Sequence, residues 1–429
     1  MTLDKFSAGW QTLLRKDDIE FLQELVTRFP EAKMLAGPAE ASPEGNQELK
    51  DTAIAYQVFD ETTPVHQTAI EADRTFLGLI LLKAALNEDR SKFPKLSDEN
   101  WQGLLDLTND TIANDADLEV VLYALTAQDL GKTQALVDAY QAQFGSQAED
   151  HDKLLSDLTR RSPDMFPGFQ SLGEENRRAY MAGLAGDLNL GQFVQGENLP
   201  CNLTTMAQTE ERSRRIRLLT ELYDFAGVTG HVVHDKSILM TDDNYTAFSA
   251  ALSALGADDS LAAYTGYIAQ RGQLVGIVSA ADDLYSDPEK FALSRIAAMS
   301  RAFTPEQGEQ IKAVWAGLSE EDRATLTEEL SITGMDANAP KGILVYYSPA
   351  VLANAIKAKG DFSEGLSLGL QGLANTYRSV REQVPQAGPG QITVNVNGLA
   401  KLAATDPDKI AKPFTAQSGG NDQIFTLEI

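Results

Sequence analysis

The residues best suited to chemistry in this chain are its histidines and the carboxylates beside them. There are four histidines, His66, His151, His231 and His234, all within the first 234 residues. They lie in VHQTAIEADR (65–74), EDHDKLL (149–155) and LYDFAGVTGHVVHD (222–235), and LTAQDLGK (125–132) adds an acidic segment between them. Imidazole nitrogen and carboxylate oxygen form the ligand set of catalytic metal centres that keep one position for water. Asp129 precedes Gly131 and Lys132. There Gly131 either caps a helix with Lys132 solvated, or admits a neighbouring backbone while Lys132 sets a cation beside the carboxylate. His151-Asp152 opens an amphipathic stretch, either with His151 as a ligand or as a helix start with a dipole-favoured Asp and an exposed His. Asp224 falls in a mostly apolar helix, where a carboxylate is costly unless paired or bound to metal. His231 follows seven residues later, so one helix face can offer both. His231 and His234 also form an H-x-x-H, a pattern common by chance.

Polar side chains suited to reading a ligand cluster in DLNLGQFVQGENLP (187–200). Asn189 and Gln192 offer amides there, and Glu197 offers a further ligand or base. The plainer reading is a helix end with two glycines and polar caps. Dense basic stretches are Arg160-Arg161, Arg177-Arg178 and RSRRIR (212–217). The last is either a patch for a phosphate or a solvated helix face pairing with Glu210 and Glu211.

QDLGK resembles the HDxGK signature of the HD-domain superfamily of metal-dependent phosphohydrolases. In that family an early His precedes an adjacent His-Asp, which later His and a late Asp follow. In similar order come His66, the doublet Gln128-Asp129, His151 and Asp224, over residues 60–235. The resemblance implies a divalent cation (Mn, Fe, Mg or Zn) held by Asp129, His151, Asp224 and His66, with His231 as a further ligand. Such a cation lowers the pKa of a bound water, and the hydroxide attacks phosphorus. Lys132 would steady the phosphoryl oxygens, and Gln128, Asn189, Gln192 and Glu197 are the substrate-side candidates. Gln128 replaces the doublet His, and an amide oxygen is a poor transition-metal ligand. The chain is therefore expected to be a divergent phosphohydrolase acting on a small phosphorylated substrate, or an inactive helical binding or scaffold protein with an HD-like shell.

Helices must position these groups. Apolar residues recur at three and four over 3–28, with a break near Lys16–Asp18, and helical patterns follow at 66–87, 98–113, 116–144, 149–160, 173–187 and 207–227. Asp98 and Asp117 are expected N-caps. Residues 36–50 read as a loop, and RRSPDMFPGF (160–169) as irregular. Near the C-terminus QITVNVNG (391–398) alternates like a strand, QIFTLEI (423–429) is its expected partner, and 405–422 reads as a loop. The expected fold is all-α, an HD-like helical domain over 1–255 and a helical region over 256–429 ending in a small β element. Soft boundaries fall at 256–259 and 336–341.

With 62 acidic and 36 basic residues the net charge is −26, which excludes a general nucleic-acid surface. Cys201 is the single cysteine, so neither a disulfide framework nor a Cys-rich zinc site is available. The longest apolar run, FLGLILLKAAL (76–86), is too short to span a bilayer, and no signal peptide is visible. No membrane role is expected, and a cytoplasmic setting is. A protein partner through the His-free region 256–429 is the remaining expectation.

Overall fold

A computed structural model describes residues 3–428, apart from 39–47, 51, 147, 149–150, 186–188, 257–258, 280–286, 334–340, 384–390, 413–414 and 419–423. The fold is all-α with a small β element toward the C-terminus. The chain forms two compact units, residues 1–187 with 209–248, and residues 188–208 with 249–429. The first therefore ends a few residues before 255, and segment 188–208 joins the second. One cause is Arg295, whose buried guanidinium donates to the carbonyls of Gly196, Glu197 and Asn198 and holds that segment in the second unit. Residues 257–258 and 336–340 of the two expected boundaries, and most of the 36–50 loop, lie outside the described residues.

The first unit is built around the helix Ile70–Leu86, every residue of which is buried. Beyond the first turns its sequence is apolar on all sides, as an interior helix requires, save for Lys83, which pairs with Asp18. Against it pack the helices Asp98–Thr111, Asp115–Ala127 and Glu211–Gly227. Glycine allows the closest of these crossings: a Cβ on Gly227 would stand 2.5 Å from the backbone nitrogen of Gly78. The break expected near Lys16–Asp18 is present, with Asp17 capping Asp18–Arg28. The two expected N-caps are corrected. Ser97 and Asn114 cap these helices, because their side chains sit before the first turn while Asp98 and Asp117 already lie within it. The helical pattern over 116–144 is divided into Asp115–Ala127, a 3₁₀ turn Gln128–Lys132, and Gln134–Phe144. Within 160–169, Pro163 and Pro167 each open a short helical turn.

The second unit carries a four-stranded sheet of β1 (Gly342–Tyr346), β2 (Gln391–Asn395), β3 (Thr415–Ser418) and β4 (Ile424–Glu428), in the order β1-β2-β4-β3. β2 pairs with β4 as expected, in parallel, with Thr393 opposite Ile424. β1 was not expected: GILVY is a short unbroken apolar run, which periodicity cannot distinguish from a buried helix turn. It pairs parallel with β2, Gly342 opposite Gln391. The helices Ser348–Lys359 and Phe362–Arg381 connect them, since parallel neighbours need a long crossover. β3 falls inside the stretch that reads as a loop and pairs antiparallel with β4.

Candidate functional site: a buried charge cluster in the first unit

The 3₁₀ turn Gln128–Lys132 ends the helix Asp115–Ala127 and turns Asp129 inward, where it is 3 % exposed. Its Oδ1 lies 2.5 Å from Lys132 Nζ, and its Oδ2 accepts from Thr75 Oγ1 at 3.2 Å. Lys132 Nζ also stands 3.3 Å from Glu71 Oε2. Thus the start of the central helix and the turn share one ammonium. Gly131 lets this happen by close approach, because a Cβ there would lie 2.1 Å from the carbonyl oxygen of His151. Of the two readings of Gly131, the structure has the second.

Two further cations, Arg74 and Arg217, extend the cluster. Arg74 Nη1 is 3.1 Å from Glu71 Oε1, and its Nε donates to His231 Nδ1 at 3.4 Å. Arg217 Nη2 bonds Glu221 Oε1 at 2.5 Å and Asp152 Oδ2 at 3.2 Å. His151 Nε2 lies 3.7 Å from Asp152 Oδ1. Glu71 and Asp129 are deeply buried, whereas the Lys132, His151 and Asp152 side chains keep about a third of their surface, so the cluster opens on that side.

Electrostatics bind the group together. Burial alone would raise the Asp129 carboxyl, but the Lys132 charge and hydrogen bond outweigh it and hold the group below its ordinary value. Burial likewise opposes the Lys132 ammonium, yet Asp129, Glu71 and Asp224 hold its pKa well above the ordinary value. Burial and then the Asp129 charge push Asp224 well up, and burial raises Glu221. His151 in turn lowers Asp129. Asp129 therefore lies within electrostatic reach of both His151 and Asp224. Glu71, Asp129, Asp152, Glu221 and Asp224 face Arg74, Lys132 and Arg217, five carboxylates against three cations. Burial is the first cause of both raised carboxyls, and the neighbouring acids add to it.

His66 is not brought in. It is exposed on the loop before the central helix, with Nδ1 2.8 Å from Thr68 Oγ1. His231 arrives by another route than expected. The helix ends at Gly227, so His231 lies in the turn beyond it and not two helical turns along one face. His234 faces Asp73, Nε2 to Oδ2 at 3.9 Å. Gln128 is buried and lines a small cavity with Tyr180 and Arg217, and neither of its amide atoms bonds to Asp129. Asn189, Gln192 and Glu197 belong to the second unit. There Asn189 caps the helix Leu190–Val194, Gln192 Oε1 accepts from Asn198 Nδ2, and Glu197 Oε1 accepts from the Tyr347 amide. Among the described residues, no three of His, Cys, Asp and Glu are arranged to hold a metal ion. The group found between the acids is an ammonium.

Sequence reasoning passed over Glu71, Arg74 and Glu221, and met Asp152 and Arg217 only as parts of His151-Asp152 and RSRRIR. A signal was present. Arg217, Glu221 and Asp224 stand at i, i+4 and i+7, a charged stripe in the helix Glu211–Gly227, and Glu71, Arg74 and Thr75 stand at i, i+3 and i+4. RSRRIR proves to be divided: Arg215 pairs with Glu211 at the surface, whereas Arg217 is buried in the cluster.

The family DUF6829, described as a family of unknown function, matches residues 20–390, and the chain belongs to it. No curated protein and no solved structure matches the chain.

Proposed function

We propose that this is a helical binding or scaffold protein that keeps an HD-like charged shell and does not run metal-dependent hydrolysis. The observation that carries this reading is the seat of Lys132 Nζ, 2.5 Å from Asp129 Oδ1 and 3.3 Å from Glu71 Oε2. A tethered ammonium is present at high effective concentration and neutralises the carboxylates that a free cation would need. Gln128, the position of the doublet His in the resemblance, turns to a cavity beside Arg217 and offers nothing to Asp129. The ligand would meet the open side at Lys132, His151 and Asp152, and a protein partner through residues 256–429 remains part of the proposal.

A second reading, a phosphohydrolase that takes Mn, Fe, Mg or Zn, is favoured by the surplus of carboxylates and by raised Asp224 and Glu221. A phosphate ester entering that negative site needs a cation there first. It also requires Lys132 to leave Asp129. The test is metal content of protein purified without added metal or chelator, with phosphoesterase turnover measured under each of the four cations. The binding reading expects metal far below one per chain and no turnover above buffer. Stoichiometric metal together with turnover overturns it.

A further inference from the structure

We infer that the cavity beside Gln128 holds one ordered water that fastens the Gln128–Lys132 turn to the helices Glu174–Ala185 and Glu211–Gly227. The cavity measures about 10 Å³ and is lined by Gln128, Tyr180, Gly183, Arg217 and Thr220 among others. That is the size of a single water site, and too small for a metabolite. Four buried polar atoms of its lining residues have no partner within the protein: Gln128 Oε1 and Nε2, Tyr180 Oη and Arg217 Nε. Gln128, Tyr180 and Arg217 are 6 %, 4 % and 6 % exposed, so bulk solvent does not satisfy them. Leaving such atoms bare is costly, and nearly all buried polar groups in native proteins find a partner.

The chemistry of the four atoms matches one water. Arg217 Nε can only donate, so the water accepts there. Gln128 offers an acceptor oxygen and a donor amide, and the Tyr180 hydroxyl serves in either sense. Water supplies two donors and two acceptors and can meet all three residues. A cation is excluded by the guanidinium on the wall. The inference gives Gln128 a role that does not depend on metal. The amide anchors the water, the water reaches Arg217, and Arg217 clamps Asp152 and Glu221. Gln128 is on this account a positioning residue for the charge cluster.

A high-resolution crystal structure of the full chain tests this directly. Expected is one peak within hydrogen-bond distance of Gln128, Tyr180 and Arg217, refining as water. An empty cavity, a direct Gln128–Arg217 bond, or density of an anion overturns the inference. Gln128→Leu gives a second readout: the peak disappears and the melting temperature falls by about 2–4 °C, the shift expected for roughly 1 kcal/mol in a unit of this size. A Gln128→Leu protein that keeps the water, or melts as the wild type does, contradicts it.

Discussion

At the scale of single residues, the pairing of Lys132 with Asp129 dominates. Removing one partner of a buried ion pair leaves an uncompensated charge, which costs about 3 kcal/mol or more. Asp129→Ala and Lys132→Met should therefore each destabilise the protein, and the double variant should recover part of the loss. Urea unfolding of all four proteins measures the coupling, and additive losses would show that the pair is not a unit. Gln128→His should change neither metal affinity nor turnover, because the side chain lies in the Tyr180–Arg217 cavity and not beside Asp129. Titrating Mn²⁺, Fe²⁺ and Zn²⁺ into both proteins checks this, and a clear gain for the His variant contradicts it. In the second unit Glu197 is pushed up to about 8, by burial first, against the hydrogen bond from the Tyr347 amide and the charge of Arg295. A carboxyl raised in the folded state binds its proton more tightly there than in the unfolded chain. Its contribution is thus full below the ordinary carboxyl range and is lost as pH rises toward 8. Glu197→Gln keeps an acceptor for Tyr347 and cannot ionise. Its stability relative to wild type should climb between about pH 5 and pH 8, by an amount on the order of a few kcal/mol. Parallel pH–stability curves for the two proteins would refute the assignment.

At the scale of elements, the cluster depends on how closely the turn Gln128–Lys132 meets the helix His151–Arg161. Gly131→Ala places a Cβ 2.1 Å from the His151 carbonyl oxygen, so one element must move. The loss should be about 1–3 kcal/mol, as for an overpacked core. Gly9→Ala is the control, since a Cβ there meets nothing within 4 Å and alanine favours the helix Ala8–Leu14. Thermal unfolding should lower the midpoint of the first variant and leave that of the second equal or higher. A Gly131→Ala protein as stable as wild type would mean that the contact is loose. Elements of this kind were legible where one face carries the information. Asp18–Arg28 and Asp98–Thr111 follow their apolar spacing, and β2 follows its alternation. β1 was not legible, because GILVY is buried on both faces and its partner lies 49 residues away in sequence. Nor was the return of 188–208 to the second unit, which depends on the long-range reach of Arg295. The site drew notice in the sequence at Asp129, His151, Asp224 and His231, as expected metal ligands rather than as members of an ion-pair cluster. It was hidden in Arg217 and Glu221, because a charged helical stripe has the same spacing whether it faces solvent or a buried partner.

For the molecule as a whole the net charge is −26, and the first unit gathers five carboxylates about three cations in one cluster. No helix of the described residues is long and apolar enough to cross a membrane, and the second unit adds a small mixed sheet to its helices. The family match spans both units, so neither is an incidental attachment to the other. The central claim is that the protein's own ammonium takes the place of a free cation in this cluster. Calorimetric titration of Mn²⁺ into the wild type and into Lys132→Met, both confirmed folded by circular dichroism, tests it most directly. Removing the tethered charge leaves the Asp129 and Glu71 carboxylates without their cation, so the variant should bind at least about tenfold more tightly, a difference of roughly 1.4 kcal/mol. Wild type binding Mn²⁺ as tightly as the variant, or more so, would contradict the account.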